Sequence, residues 1–247
     1  CWSSCTNEVD EFIGNVEPST RSVSTALNAN LASLFTGGAP TLTSAEIKEV
    51  NDAYAKMTSI NCYRNIDEAV RNKTSYAGTI FLDDTYASAY FRKGSLAFPP
   101  YGILASSMEH EFIHMYQRDV QGKKVDTDKE KRDTGMMEFE LAFYQGIIRY
   151  IHAGYSWTFK GEDGDPSYQS LWTSGLTDPS LIPQYEREFQ TYVASICANG
   201  KPTSIDINEF VKWSNIFGEY SRGYSGKGYK FGNYDYGTSC INSLLKL

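Results

Sequence analysis

The chain has 247 residues, of which 41% are hydrophobic, 14% aromatic and 21% charged. This composition is typical of a globular protein and excludes a disordered, collagenous or coiled-coil chain. The formal net charge is −7, and the 23 Lys and Arg residues are scattered along the sequence. Because they form no basic block, we expect no nucleic-acid partner. Histidine is scarce, with only three in the chain.

Residues 1–16 are predicted to form a flexible N-terminal tether. The chain opens with the segment Cys1-Trp2-Ser3-Ser4-Cys5-Thr6-Asn7-Glu8. This opening resembles that of a processed bacterial lipoprotein, in which the N-terminal cysteine carries lipid and a short polar tether follows. The resemblance implies an exported protein at the bacterial cell surface or in the periplasm. Membrane association is then expected only through a lipid on Cys1.

The five cysteines are widely spaced along the chain, at Cys1, Cys5, Cys62, Cys197 and Cys240. Their spacing matches neither a zinc knuckle nor a redox pair of neighbouring cysteines. Because export favours oxidation of cysteines that meet on folding, structural disulfides and buried thiols are the two alternatives. Among the pairings we favour a disulfide between Cys197 and Cys240.

Residues 17–247 are predicted to form a single domain that begins with helices. Apolar residues at helical spacing extend to about Leu34, and a second helix is predicted over residues 46–57 with Ser44 as its N-cap. Runs of β-forming residues separated by turn signals then predict a small antiparallel sheet. Its strands are predicted over residues 79–82, 86–91 and 95–98.

The remainder of the chain is predicted to be mainly helical, which makes the fold class α+β. The amphipathic spacing and the Gly or Pro residues beyond each segment indicate four further helices. They are predicted over residues 104–120, 136–152, 181–197 and 207–220. A segment rich in Gly and Tyr follows, over residues 222–237.

The helix predicted over residues 104–120 contains the motif His110-Glu111-Phe112-Ile113-His114, an HExxH pattern. Residues four positions apart on an α-helix differ by about 40° and lie one turn apart, so both imidazoles can bind one ion. Glu111 then lies beside the ion, where its carboxylate can accept a proton from an activated water and pass it to a leaving amine. Composition alone predicts only about 0.002 such motifs in this chain.

A catalytic zinc site of this kind needs a third protein ligand and keeps a fourth position for water. The candidates are the remaining histidine, His152, and the carboxylates of Glu138 and Glu140 on the next predicted helix. The two carboxylates point about 200° apart and cannot share one role. If Glu138 is the ligand, His152 lies about 21 Å further along a continuous helix and cannot reach the same ion.

The HExxH motif followed by this second helix resembles the gluzincin branch of the zincins, a class of zinc metallopeptidases. In that branch a Glu on a downstream helix completes the site. Matched to this pattern, the metal ligands are His110, His114 and Glu138, with Glu140 and His152 as the alternative third ligands. The resemblance implies one Zn²⁺ ion and hydrolysis of peptide or protein substrates, with Glu111 as general base and acid.

The resemblance also implies a zincin-like fold, in which a small sheet precedes the HExxH helix. An edge strand of that sheet holds extended substrate by main-chain pairing, and residues 86–91 or 95–98 would take this part. A tyrosine of the Gly- and Tyr-rich segment is expected to stabilise the oxyanion, and Tyr224 and Tyr229 are the preferred candidates. The alternative function is a surface lipoprotein with this fold that binds protein or carbohydrate without catalysis.

Overall fold

The computed structural model describes residues 26–38, 40–123, 131–154, 182–220 and 227–247. The chain divides into two compact units, with the boundary after Val120. The predicted tether over residues 1–16 lies outside the described residues, and the single domain over residues 17–247 stays a prediction. The α+β class is confirmed, because most of the described elements are helices and three short strands form a small sheet.

The helices of the first unit are α1 (Ala29–Leu34), α2 (Ser44–Ser59), α3 (Asn61–Lys73) and α4 (Ala105–Met115), the last followed by a π-helical turn (Tyr116–Val120). Helix α2 is capped by Thr43 and not, as predicted, by Ser44. The Thr43 hydroxyl accepts a hydrogen bond from the Glu46 amide, and the Glu46 carboxylate accepts one from the Thr43 amide. This reciprocal pair needs a Glu three residues after the cap, which selects Thr43.

The sheet of the first unit is mixed, whereas the sequence predicted an antiparallel one. Its strands are β1 (Ile80–Leu82), β2 (Tyr90–Arg92) and β3 (Ser95–Phe98), in the order β1-β3-β2. A two-residue turn at Lys93 and Gly94, with φ of 51° and 78°, joins β2 to β3 as an antiparallel hairpin. The longer connection after β1 places that strand on the other side of β3, where the pairing is parallel.

The strand order also corrects one of the two expected substrate-binding strands. Residues 95–98 form the central strand β3, which pairs with β1 on one side and β2 on the other. A strand paired on both sides has no free main-chain edge for an extended peptide. Within the described residues, β1 and β2 are the edges of this sheet.

Helix α4 is buried against α2 and α3 and also contacts β2. Its fully buried side chains are Met108, Phe112, Ile113 and Met115. The ring of Phe112 lies 6.2 Å from that of Tyr54 on α2. Tyr54 in turn donates a 2.8 Å hydrogen bond to the buried carboxylate of Asp67 on α3. Apolar packing and one buried polar contact therefore hold the three helices together.

Replacing Tyr54 by Phe removes the hydrogen bond to Asp67 while keeping the ring. We expect the free energy of unfolding to fall by about 1–3 kcal/mol, because a buried carboxylate loses a donor. Chemical denaturation monitored by circular dichroism measures this change. The matched control is Tyr101→Phe, since Tyr101 is 71% exposed and donates only to a backbone carbonyl. The control should change stability by less than about 0.5 kcal/mol, and equal effects of both variants would contradict the prediction.

The second unit contains the helices α5 (Lys131–His152), α6 (Ile182–Ile196), α7 (Ile207–Tyr220) and α8 (Ser239–Lys246). Helix α5 packs against the other three. The contact is largely aromatic: the ring of Phe139 lies 5.0 Å from that of Phe210, and Phe143 lies 5.7 Å from Phe189. None of the described helices is both long and apolar enough to cross a lipid bilayer.

The predicted disulfide between Cys197 and Cys240 is wrong, because both are free and buried thiols. Burial raises the pKa of the Cys197 thiol to about 12. The pKa of the Cys240 thiol is raised by burial and by the charge of Glu140, with which it forms a hydrogen bond. The two thiols are therefore buried in different surroundings and are not bonded to each other. Cys62, which is also buried, is in a disulfide.

We expect Cys197 and Cys240 to resist alkylation in the folded protein at neutral pH, because their raised pKa values leave almost no reactive thiolate. Both should react once the chain is unfolded in denaturant without a reducing agent. Peptide mapping of iodoacetamide-treated protein measures the modification at each site. Failure of the two to react in denaturant would show that they are oxidised and would contradict the free thiols.

Candidate metal centre

Helix α4 positions the two histidines of the HExxH motif. Its apolar side chains face α2 and α3, and both imidazoles are only half-buried. The side chain of His110 is 37% exposed. The predicted helix is therefore confirmed over Ala105–Met115, although its last turn, from Tyr116 to Val120, is π-helical.

The two imidazoles face each other as a pair of metal ligands would. Nε2 of His114 lies 3.1 Å from Nε2 of His110, and the two rings are inclined at 82°. Two nitrogens that bind zinc at about 2.05 Å with tetrahedral geometry lie about 3.3 Å apart. The observed separation therefore fits a single zinc ion between the two rings.

Glu138 on α5 completes this group. Its carboxylate and one ring nitrogen from each of His110 and His114 all lie within 4.8 Å of one another. All three side chains are half-buried. Two imidazoles and one carboxylate are a donor set that zinc uses in catalytic sites. The structure therefore brings together three residues that could hold a metal ion.

Glu111 lies next to this group and is much less accessible than the ligands. The residue is 5% exposed, and its Oε1 lies 4.0 Å from Nε2 of His110. A carboxylate at this distance from a ligand nitrogen is close enough to exchange a proton with a small molecule held at the ion.

The alternative third ligands lie in different environments. Glu140 is fully buried and accepts a 2.9 Å hydrogen bond from the Tyr236 hydroxyl. Burial and the charge of Glu140 raise the pKa of that hydroxyl far above its ordinary value. His152 is exposed at the end of α5, fourteen residues or about 21 Å along the helix from Glu138. The group that the structure brings together thus contains Glu138 and neither alternative.

The predicted tyrosine donors are only partly described. Tyr224 lies outside the described residues, and Tyr229 is half-buried. Of the neighbouring tyrosines, Tyr234 is 57% exposed, while Tyr236 is 6% exposed and donates to Glu140. The role of Tyr224 or Tyr229 as an oxyanion donor therefore stays a prediction.

One residue of the site was not predicted from the sequence. Gln117 is fully buried, and its Oε1 lies 2.9 Å from Nδ1 of His114. Its position three residues after His114 on a helix is a signal that could have found it, because side chains at this spacing are neighbours. Gln117 therefore belongs to the surroundings of the metal ligands.

Comparison of the chain with known proteins identifies no relative. No family model matches the chain, and no curated protein or solved structure is significantly similar to it. The interpretation of the site therefore depends on its motif and its geometry.

The third ligand is tested by Glu138→Gln, Glu140→Gln and His152→Ala. We expect Glu138→Gln to weaken zinc binding by more than about 10-fold, because a neutral amide is a poor substitute for a ligating carboxylate. Glu140→Gln keeps an acceptor for Tyr236 and should leave zinc affinity within a few-fold of wild type, as should His152→Ala. Competition with a chromophoric chelator measures the affinity. If Glu140→Gln or His152→Ala weakens binding more than Glu138→Gln, the assignment of Glu138 is wrong.

Proposed function

We propose that this protein is a zinc-dependent metallopeptidase that hydrolyses peptide bonds in peptide or protein substrates. The observation that carries the proposal is the convergence of His110, His114 and Glu138, with Glu111 beside them. This is the arrangement expected from the HExxH motif followed by a downstream Glu. It supports a site of the gluzincin type.

Zinc is the metal that this donor set favours. Two imidazole nitrogens and one carboxylate oxygen suit zinc, whereas magnesium and calcium prefer oxygen ligands alone. A bound zinc ion would polarise the scissile carbonyl and lower the pKa of a coordinated water toward neutrality. His110, His114 and Glu138 would hold the ion and leave one position for water or substrate.

Glu111 supplies the proton transfer in this proposal. Its carboxylate accepts a proton from the attacking water and delivers it to the amine that leaves when the peptide bond breaks. Its Oε1 lies 4.0 Å from Nε2 of His110, one of the atoms that would hold the ion. The low exposure of Glu111 excludes bulk water, which strengthens the interaction of its charge with the site.

The acid at position 111 of the motif also favours an enzyme over a binding module. A surface lipoprotein that binds protein or carbohydrate needs no acid at this position, although it could retain the two histidines. A catalytically inactive protein that binds zinc is therefore the outcome that would favour the alternative.

We also propose that the protein is exported. The disulfide at Cys62 supports this, because structural disulfides form and persist in oxidising compartments and are rare in the cytosol. A location at the cell surface or in the periplasm, with a lipid on Cys1, is consistent with a peptidase that acts on external substrates.

The proposal is tested by Glu111→Gln. We expect both wild type and the variant to bind about one zinc ion per chain. We expect the variant to lose peptidase activity by about 10²–10⁴-fold, because proton transfer is removed while the ligands remain. Hydrolysis of a fluorogenic peptide library and metal analysis of the purified protein measure the two quantities.

The matched control is Glu209→Gln, the same substitution at a residue on α7 that is paired with Lys212 at the surface. It should keep wild-type activity and zinc content. Activity that persists in Glu111→Gln would show that another group is the base. If the wild-type protein binds zinc but has no activity, the proposed peptidase function is contradicted and the binding module is favoured.

A further inference from the structure

The contact between Gln117 and His114 bears on which nitrogen of His114 carries the hydrogen. Its amide oxygen lies 2.9 Å from Nδ1 of His114, and an amide oxygen can only accept a hydrogen bond. A hydrogen bond between these two atoms requires Nδ1 to be the donor. In the neutral ring this leaves Nε2 without a hydrogen and with its lone pair free, which is the form that binds a metal.

We propose that Gln117 is a positioning residue of the candidate metal centre. It holds the His114 ring so that Nε2 is directed at the ion. The inference rests on the proposed zinc site and deepens it, because it assigns a role to a residue outside the HExxH motif. Gln117 does not contact the ion. It acts through His114.

The backbone that carries Gln117 is held in place by its neighbours in the π-helical turn (Tyr116–Val120). Asp119 accepts a 2.5 Å hydrogen bond from the Tyr76 hydroxyl and is paired with Arg118. The Arg118 guanidinium lies 4.3 Å from the centre of the Phe91 ring on β2. Wide turns of this kind at the end of an α-helix are frequent at functional sites. These contacts fix the turn to the sheet, and the position of Gln117 with it.

The tautomer of His114 is a direct test that needs neither metal nor activity. Two-bond ¹H–¹⁵N correlation spectra of the metal-free protein at about pH 8.5, where ordinary imidazoles are neutral, distinguish the two tautomers. The chain has three histidines, so assignment by single substitution is simple. We expect the wild-type His114 to carry its hydrogen on Nδ1. A hydrogen on Nε2 would overturn the proposal.

Two substitutions at Gln117 test its effect on metal binding. Gln117→Met removes the acceptor at similar volume, and we expect loss of the Nδ1–H tautomer and about 10–100-fold weaker zinc binding. Gln117→Glu keeps an acceptor oxygen and should retain both the tautomer and zinc affinity within a few-fold. The control is Gln145→Met, since Gln145 is 1% exposed and, among the described residues, its amide nitrogen has no hydrogen-bond partner. It should behave as wild type in both measurements.

The outcomes separate this inference from the proposed function. If Gln117→Met keeps the wild-type tautomer and zinc affinity, the positioning role is wrong while the zinc site stands. If no variant and not even wild type binds zinc, the zinc site is wrong, and the tautomer spectra alone decide the contact of Gln117 with His114. Should Gln117→Met fail to fold, the wild-type spectrum and Gln117→Glu still decide the case.

Discussion

Two imidazole nitrogens held 3.1 Å apart on one turn of a buried helix are the constraint on which the candidate site depends. At this distance the lone pairs of two neutral rings repel each other, so the pair needs a shared hydrogen or a shared cation between them. Packing of the apolar face of α4 against α2 and α3 prevents the helix from rotating to relieve the contact. The core of the first unit therefore determines the geometry of the ligands.

Two carboxylates only two residues apart on α5 have opposite environments, because a helix turns about 200° over that interval. Glu138 is half-buried and lies with the two histidines, whereas Glu140 is fully buried and accepts a hydrogen bond from Tyr236. The Tyr236 ring also lies 3.8 Å from the Lys123 ammonium, which adds a cation–π contact at the same place. One face of α5 thus serves the candidate metal centre, and another anchors the C-terminal segment of the second unit.

The HExxH helix and α7 could be predicted from the sequence because helical periodicity is a local signal. For the third ligand, the residue types that bind zinc left three candidates in the sequence, Glu138, Glu140 and His152. The parallel pairing of β1, the free thiols of Cys197 and Cys240 and the role of Gln117 were missed. The first two depend on contacts between segments, which spacing along the chain does not encode. The contact of Gln117 with His114 is local, because the two residues are three positions apart. Helix α3 was missed because it follows α2 after the single residue Ile60, without a Gly or Pro to mark the boundary.

The exposure of the candidate site bears on whether a metal held there would be catalytic or structural. Structural zinc sites have four protein ligands and are closed, whereas catalytic sites have three and keep a position open. Among the described residues, the group contains three potential ligands, all half-buried, and the His110 side chain is 37% exposed. Glu111, next to them, is 5% exposed. Half-buried candidate ligands beside a buried acid are compatible with the proposed hydrolysis, in which substrate must reach the ion while the base stays protected from bulk water.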